Sequence, residues 1–593
     1  MLMGGQTFLV SVGVLLAVIF QVSGRCPESC SCERQRGRKT VICDKGGITE
    51  IPTNNMDTDT QIFLVTAPPS NPNYLTIGRI FLDFTALEEV YIMHSYVPAI
   101  GHSSFWPGTN LRVLSLSHNN ISQLHDFDFN GLTNLEVLDL SDNVISATPS
   151  APFRFLSNLT TLSLARNQLK RLVPRIFYML KKLERLDLSS NPLGDIDPEN
   201  LKDLRPLKSL SLANCQLSRL HSLIYQHLPN LEELDLRDNF FNYFAPEEFR
   251  HLKKLRMLYL DGNEMSVIVD KAFNGHYFDY LGLSRNQIVS LDACAFCNAS
   301  IKSLNISRNQ FASLKSNILK EVTFSLQVLD IGFNNVAVNT VASVIQPLHR
   351  LRRLSLSGLA LTTLPPQIFL TNRDLRVLDL SQNELSTLDP EILRPLSKLE
   401  ELNLSGNLFL GLQPQLLDQF TNMTRLSNVP LHSNPWTCEQ CHILPTLKWL
   451  NSSLGNRKVC RRDQSCFTCV HPERLAFREV RSLRVSEVPP CGGPKSQSRI
   501  FNSGSQIGII IAVTFLVILL LVIITFILIY KRRGAVYYTH EEERNDNYLY
   551  GATLVGDING GHKDEKSLRF IATLDKIEES SDDYPSKSKN RIT

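Results

Sequence analysis

The sequence predicts an α/β solenoid, a curved horseshoe with a parallel β-sheet on its concave face, followed by one transmembrane helix. Three observations predict it. One motif, LxxLxLxxNxL, recurs at close to 24-residue intervals through most of the chain. A charge-free apolar run, Ile507 to Tyr530, separates that region from a polar tail. All thirteen cysteines precede the run, as a disulfide-permissive compartment would require.

The first element is a leader, residues 1–24. Phe8 to Phe20 is too short to span a bilayer comfortably, and Val22 and Gly24 are small residues at the usual places before a cleavage point. The 593 residues carry a net charge of +3, so nothing global points to nucleic acid, and no nucleic-acid partner is expected. Charged residues at 20% and hydrophobic residues at 43% suit a folded chain with a large core.

The repeats fill residues 58–433. Clear copies begin at Leu111, Leu135, Leu159, Leu183, Leu207, Leu231 and Leu255. Shorter or longer copies begin at Phe278, Ile301, Leu326 and Leu351, and regular ones return at Leu375 and Leu399. With a weaker copy at Leu87 and degenerate ones near Asp59 and Met423, they number about sixteen. Leucines at motif positions 4 and 6 make a period-2 strand with one inward face. One repeat cannot bury that face alone, so neighbours stack. Residues such as Leu124, Phe129 and Leu132 add core from the returning half. The motif resembles the leucine-rich repeat family in its extracellular 24-residue subtype, similar to Toll-like receptor ectodomains and to neuronal and adhesion leucine-rich repeat transmembrane proteins. The resemblance spans residues 26–491 and implies macromolecular recognition.

The motif asparagine should turn the chain inward and bond backbone groups of adjacent turns, each such buried partner being worth ~1–3 kcal/mol. Cys215 and Leu359 occupy that slot in two copies. Leucine cannot hydrogen-bond, so residues 326–361 hold either a boundary between two arcs or a tolerated local defect.

A solenoid needs caps. Residues 25–57 carry Cys26, Cys30, Cys32 and Cys43, and resemble the family's N-terminal cap, which implies Cys26–Cys32 and Cys30–Cys43. Residues 434–492, with NPWTCEQC, CVHPERL and Cys491, resemble its C-terminal cap. That resemblance implies Cys438–Cys469 and Cys441–Cys491, and leaves Cys460 and Cys466 to bridge each other. Cys294 and Cys297 are either a local bond or two packed thiols. Cys215 is the odd cysteine; its ladder slot reads as a buried, inert thiol. The C-x-x-C spacings also suggest zinc, but an extracellular cap argues against it, and no metal or cofactor is expected.

Motif positions 2, 3, 5, 7 and 8 project from the strands. In mid-arc they offer Glu232, Asp235, Arg237, Asp238, Tyr259, Asp261 and Tyr280 as a ligand-binding patch, since aromatics and Arg anchor interfaces. N-glycosylation sequons stand at Asn120, Asn158, Asn298, Asn305, Asn403, Asn422 and Asn451. Asn305 and Asn403 fall at position 5, which would put sugar on the concave face and direct a ligand toward earlier repeats.

Residues 493–506 form a short juxtamembrane linker, too short for an immunoglobulin module. Residues 507–530 are long enough to cross a ~30 Å hydrocarbon layer, and Lys531, Arg532 and Arg533 favour the cytosolic side. The tail, 531–593, reads as disordered. It carries candidate phosphorylation sites at Tyr548, Tyr550, Ser580 and Ser581, with a loose adaptor-docking pattern ending at Tyr548. No nucleophile elbow, metal-spaced His/Glu helix or phosphate loop is present, so no enzyme is expected. The expectation is a type I plasma-membrane receptor or adhesion molecule that binds an extracellular protein or cell-surface partner, alone or as a homo- or hetero-dimer. Alternatives are an innate-immune co-receptor lacking its own signalling domain, or a scaffold that presents a growth factor.

Overall fold

The structure is a computed structural model that describes residues 25–315, 317–459 and 466–491. All lie in the first of two units of the chain, residues 1–493. The leader, Cys460, the linker, the apolar run and the tail with Tyr548, Tyr550, Ser580 and Ser581 lie outside the described residues. Among the described residues no helix is long and apolar enough to cross a membrane.

A seventeen-stranded sheet runs through the unit. Most strands are three residues long, such as Val113–Ser115, Val137–Asp139 and Thr161–Ser163, and they pair in parallel with residue-for-residue register. The alternation of the motif explains this. Leu114, Leu138 and Leu162 point inward and are fully buried, while the residues on either side, Ser115 excepted, are partly exposed. Each buried leucine contributes roughly 1.5–3 kcal/mol, and several per repeat recur along the stack.

The returning half of each repeat is turns and short helices. Its core is a file of phenylalanines: Phe129 lies 5.7 Å from Phe153, and Phe249, Phe273 and Phe296 stack in sequence at 6.3 and 5.9 Å. The shorter repeats after Leu255 gain extra two-residue pairings, Val267–Ile268 with Ser290–Leu291 and Tyr277–Phe278 with Ser300–Ile301. Pairing continues without a break through residues 326–361: Val328 opposes Arg353, which opposes Val377. The replaced rung at Leu359 is therefore a local feature and no interruption of the sheet.

Both ends are covered. The hairpin Ser31–Gln35 and Arg38–Cys43 is antiparallel, and its second strand pairs in parallel with Ile62–Val65. Disulfides join Cys26 to Cys32 and Cys30 to Cys43. At the other end Trp436 is fully buried, donates from Nε1 to the Leu431 carbonyl at 2.9 Å, and packs 4.6 Å from Phe467. Cys438 joins Cys469 and Cys441 joins Cys491. Cys466 is disulfide-bonded. Cys294 is bonded to Cys297, which settles the two readings left open for that pair.

The asparagine ladder spans the stack. Asn143 Nδ2 donates to the carbonyls of Leu116 and Leu140 at 2.9 and 3.1 Å, and its Oδ1 accepts from Ile121 N at 3.0 Å. Asn167, Asn191, Asn239, Asn263 and Asn383 repeat the pattern. Cys215 is buried and unpaired, with Sγ 3.3 Å from the Leu188 carbonyl. Burial pushes its thiol up to about 11.

Candidate ligand-binding face

Three neighbouring strands, Glu233–Asp235, Met257–Tyr259 and Tyr280–Gly282, carry the mid-sheet residues. Asp235 stands opposite Tyr259, and Tyr259 opposite Gly282; Met257 stands opposite Tyr280. The tyrosines are thus diagonal neighbours, and their rings meet at 5.0 Å. Arg237 grips Asp235 through two bonds, Nε to Oδ1 at 2.9 Å and Nη2 to Oδ2 at 2.6 Å. Its guanidinium also lies 5.1 Å from the Tyr259 ring centre. The hydrogen bond to Asp235 raises the Arg237 pKa further, so this cation is permanent. Burial raises both tyrosine hydroxyls above their ordinary range, so both stay neutral; Tyr259 donates to Met257 Sδ at 3.6 Å and Tyr280 bonds Asn305.

The candidate acids divide into two groups. Asp235 and Asp261 are buried and bonded within the protein. Asp235 Oδ1 accepts from Arg237 N at 3.1 Å, and Asp261 Oδ1 accepts from Ser284 N and Oγ at 2.9 and 2.6 Å. A side chain on Gly282 would place its Cβ 2.1 Å from Asp261 Oδ2, so that glycine makes the inward carboxylate fit. Asp235 closes the turn after its own strand, and Asp261 ties its repeat to the next one. Glu232 and Asp238 are exposed. Asp238 reaches across a whole repeat to Arg285 Nη1 at 2.8 Å, over Gly262, where a Cβ would stand 2.2 Å from Asp238 Oδ1. The face available to a partner is therefore Glu232, Arg237, Tyr259, Tyr280 and the Asp238–Arg285 pair.

Arg256 and Asp279 belong to the projecting mid-arc positions by motif phase; Tyr277 and a cleft near the N-terminal cap escaped the sequence reading. Arg256 lies 4.8 Å from the exposed Tyr277 ring and 3.7 Å from Asp279, extending the aromatic–cation surface to the leading edge of the sheet. Tyr277 precedes the motif, and only the shortened repeat brings it there. Near the N-terminal cap, a cleft of about 370 Å³ is lined by Pro68, Pro72, His94, Tyr96 and His118. His94 stacks on His118 at 4.4 Å, and Tyr74 on Tyr96 at 5.1 Å. Tyr74 lies where the motif is degenerate, whereas His94 and His118 stand at position 8 of the copies beginning at Leu87 and Leu111.

The sequon asparagines occupy distinct settings. Asn305 and Asn403 end strands Ser303–Asn305 and Glu401–Asn403, and each Oδ1 accepts from the hydroxyl of its own sequon serine at 2.7 Å. Asn120 borders the N-terminal cleft. Asn158 donates to the Thr133 carbonyl and accepts from Lys182 at 2.7 Å. Asn298, Asn422 and Asn451 are exposed. Among the described residues one cluster has metal-ligand spacing, Glu439, Cys441 and His442. Its sulfur is committed to Cys491, so no thiolate is available there.

A family model described as "Leucine rich repeat" matches residues 85–145, 133–193, 157–217, 205–265 and 349–409. A "BspA type Leucine rich repeat region (6 copies)" model matches 243–345, where the repeat length changes. Among curated proteins, the zebrafish (Danio rerio) leucine-rich repeat-containing protein 3B is 29% identical over 116 residues, 19% of this chain. The chain spans 43% of that relative's length. Among solved structures, an LRR protein of Leptospira interrogans aligns with TM-score 0.53 and 27% identity, covering 63% of this chain and 91% of that one. The Drosophila Toll receptor in its glycosylated complex with Spatzle aligns with TM-score 0.43 and 21% identity, covering 72% and 61%. With the stacked parallel strands, the asparagine ladder and both family models falling on the same repeats, the chain belongs to the leucine-rich repeat family.

Proposed function

We propose that the chain is a single-pass type I protein of the plasma membrane whose outer repeat sheet recognises a protein ligand. The mid-sheet cluster of Arg237, Tyr259 and Tyr280 carries this reading. It joins a permanent cation to two neutral, half-buried tyrosines on a rigid sheet, the residue types that concentrate binding energy in protein interfaces. The leader at residues 1–24, the apolar run 507–530 and the basic flank Lys531–Arg533 support the topology. Five disulfides among the described residues suit an oxidising compartment. Sugar on Asn403 would crowd the later strands, and sugar on Asn305, which adjoins Tyr280, would bound the cluster on that side and direct a ligand toward the earlier repeats.

Two measurements test it. Antibody to the repeat region should stain unpermeabilised cells; staining only after permeabilisation defeats the topology. Proximity labelling on intact cells should recover a protein partner, and Tyr259→Ala with Tyr280→Ala should weaken its binding by ~10-fold or more. An effect no larger than that of changes at Gln327 or Arg376 defeats the site.

A further inference from the structure

The residues at motif position 2 sit just before the strands and form one column along the leading edge of the sheet. Backbone bonds fix the column, with Arg112 N donating to the Glu88 carbonyl, Glu136 N to Arg112, and Arg376 N to Arg352. Charges along it alternate. Arg112 faces Glu136 at 3.7 Å, Glu184 faces Lys208 at 2.8 Å, and Asp279 stands between Arg256 and Lys302 at 3.7 Å from each.

The alternation lapses twice: neutral Thr160 separates Glu136 from Glu184, which leaves an acidic stretch, and an excess of positive charge follows Gln327. Gln327 is followed by Arg352 and then Arg376. Arg350, Arg353 and Arg373 crowd the same two repeats, and all are exposed. The local acids are already committed: Asp374 to Lys398 at 2.5 Å and Glu400 to Arg376 at 3.2 Å. Asp330 and Asp379 turn inward to accept from Gly332 N and Ser381 N, each at 2.9 Å. Arg350, Arg352, Arg353 and Arg373 thus have no ion-pair partner among the described residues. Lys398 holds the Asp374 carboxyl below its usual range, with Arg352 and Arg376 adding to the pull, which marks a net positive field at this edge.

We propose that this edge binds a linear sulfated polysaccharide through Arg350, Arg352, Arg353 and Arg373. The proposal rests on the extracellular placement given above. A guanidinium fork matches the oxygens of a sulfate and is held by it in two bonds. Strands ~4.8 Å apart present these forks as a track rather than a single pocket. Among the described residues of these repeats the exposed rings are Phe324 and Phe333, the second covered by Arg308, whereas a single-stranded nucleic acid calls for a series of free stacking rings.

The test applies the full chain in detergent to immobilised heparin at rising salt. Three variants are compared with the parent: Arg350→Ser, Arg352→Ser, Arg353→Ser and Arg373→Ser together; four scattered changes, Lys170→Ser, Arg171→Ser, Arg219→Ser and Arg425→Ser; and Arg352→Glu alone, which restores a sign change in the column. The first should bind at least ~10-fold more weakly and with a shallower dependence on salt, because fewer counterions are released. The scattered set should stay within ~2-fold. Arg352→Glu should lose retention with its melting temperature unchanged. Equal losses in the two fourfold variants, equal binding to desulfated heparin, or tighter binding to a single-stranded oligonucleotide would each overturn the proposal. Cell-surface staining is read separately, so failure of the topology and failure of the track are distinguishable.

Discussion

Rungs of the ladder that keep their asparagine differ from those that have lost it, and the difference shows how the stack repairs itself. In an intact rung, Asn143 serves its own turn and the previous one, and its Oδ1 takes the Ile121 N–H. Ser95, Cys215 and Leu359 stand where three rungs lack the amide. The residue after each, Tyr96, Gln216 or Ala360, adopts a left-handed conformation with φ of 46°, 61° or 53°. The N–H of the substituted residue then meets the asparagine of the next repeat, which accepts two donors. Asn119 takes Ser95 N and Val97 N, Asn239 takes Cys215 N and Leu217 N, and Asn383 takes Leu359 N and Leu361 N, all within 2.9–3.3 Å. Asn434 also accepts two donors, Asn407 N and Phe409 N at 3.1 and 3.2 Å, from a rung that keeps its asparagine, so what sets the substituted rungs apart is the left-handed non-glycine residue after the slot, which costs ~1–2 kcal/mol.

This comparison sets the order of expected effects. Replacing Asn239 by Ala should be the most damaging change, because it leaves its own carbonyl partners and two N–H groups of the neighbouring rung unserved. A loss of ~3–5 kcal/mol in urea unfolding is expected, against ~2–3 for Asn143→Ala. Equal losses would show that the double acceptance carries no weight. Leu359→Asn should restore donors to Ile331 O and Leu356 O and raise stability by ~1 kcal/mol, and Ala360→Gly should gain ~0.5–1 kcal/mol by relieving the left-handed alanine. Destabilisation by both would mean that the apolar slot has been repacked around leucine. The smallest effect belongs to Cys215. Its folded thiol titrates at about 11 against an ordinary value of 9.0, so above pH 9 the unfolded chain releases its proton first. That stabilisation is complete below pH 9 and should fade as pH rises toward 11, and Cys215→Ser should remove this slope. Native protein should also resist thiol alkylation at pH 8; rapid labelling would show that the rung opens.

The legible part of the fold followed from period. Leucines at positions 4 and 6 marked each strand, and the motif asparagine marked each inward turn, since both depend on residues within one repeat and its nearest neighbour. The patch was legible only in part. Arg237, Tyr259 and Tyr280 do meet on the sheet, but Asp235 and Asp261 resemble surface acids in the sequence and prove to be internal acceptors. Asp235, at position 5, faces outward by phase yet reaches the backbone N–H two residues on, and Asp261, at position 7, reaches Ser284 of the next repeat; hydrophobic patterning records neither bond. The tyrosine stack near the cap lay beyond reach for another reason: Tyr74 lies where the motif degenerates and no period assigns a facing direction, whereas His94 and His118 share position 8 of successive copies and were legible by phase.

The sequence by itself determined the repeating unit, its inward leucines, its ladder and the chain's membership of a solenoid family, because each is written within about one turn of the stack. Tertiary structure alone decided which charges cancel and which stand free. Asp238 and Arg285 pair across 47 residues, Arg256 finds Tyr277, and Arg352 finds no acid. Such pairings depend on the phase between repeats of 23, 24 or 25 residues, and that phase is fixed only when neighbouring turns pack against one another.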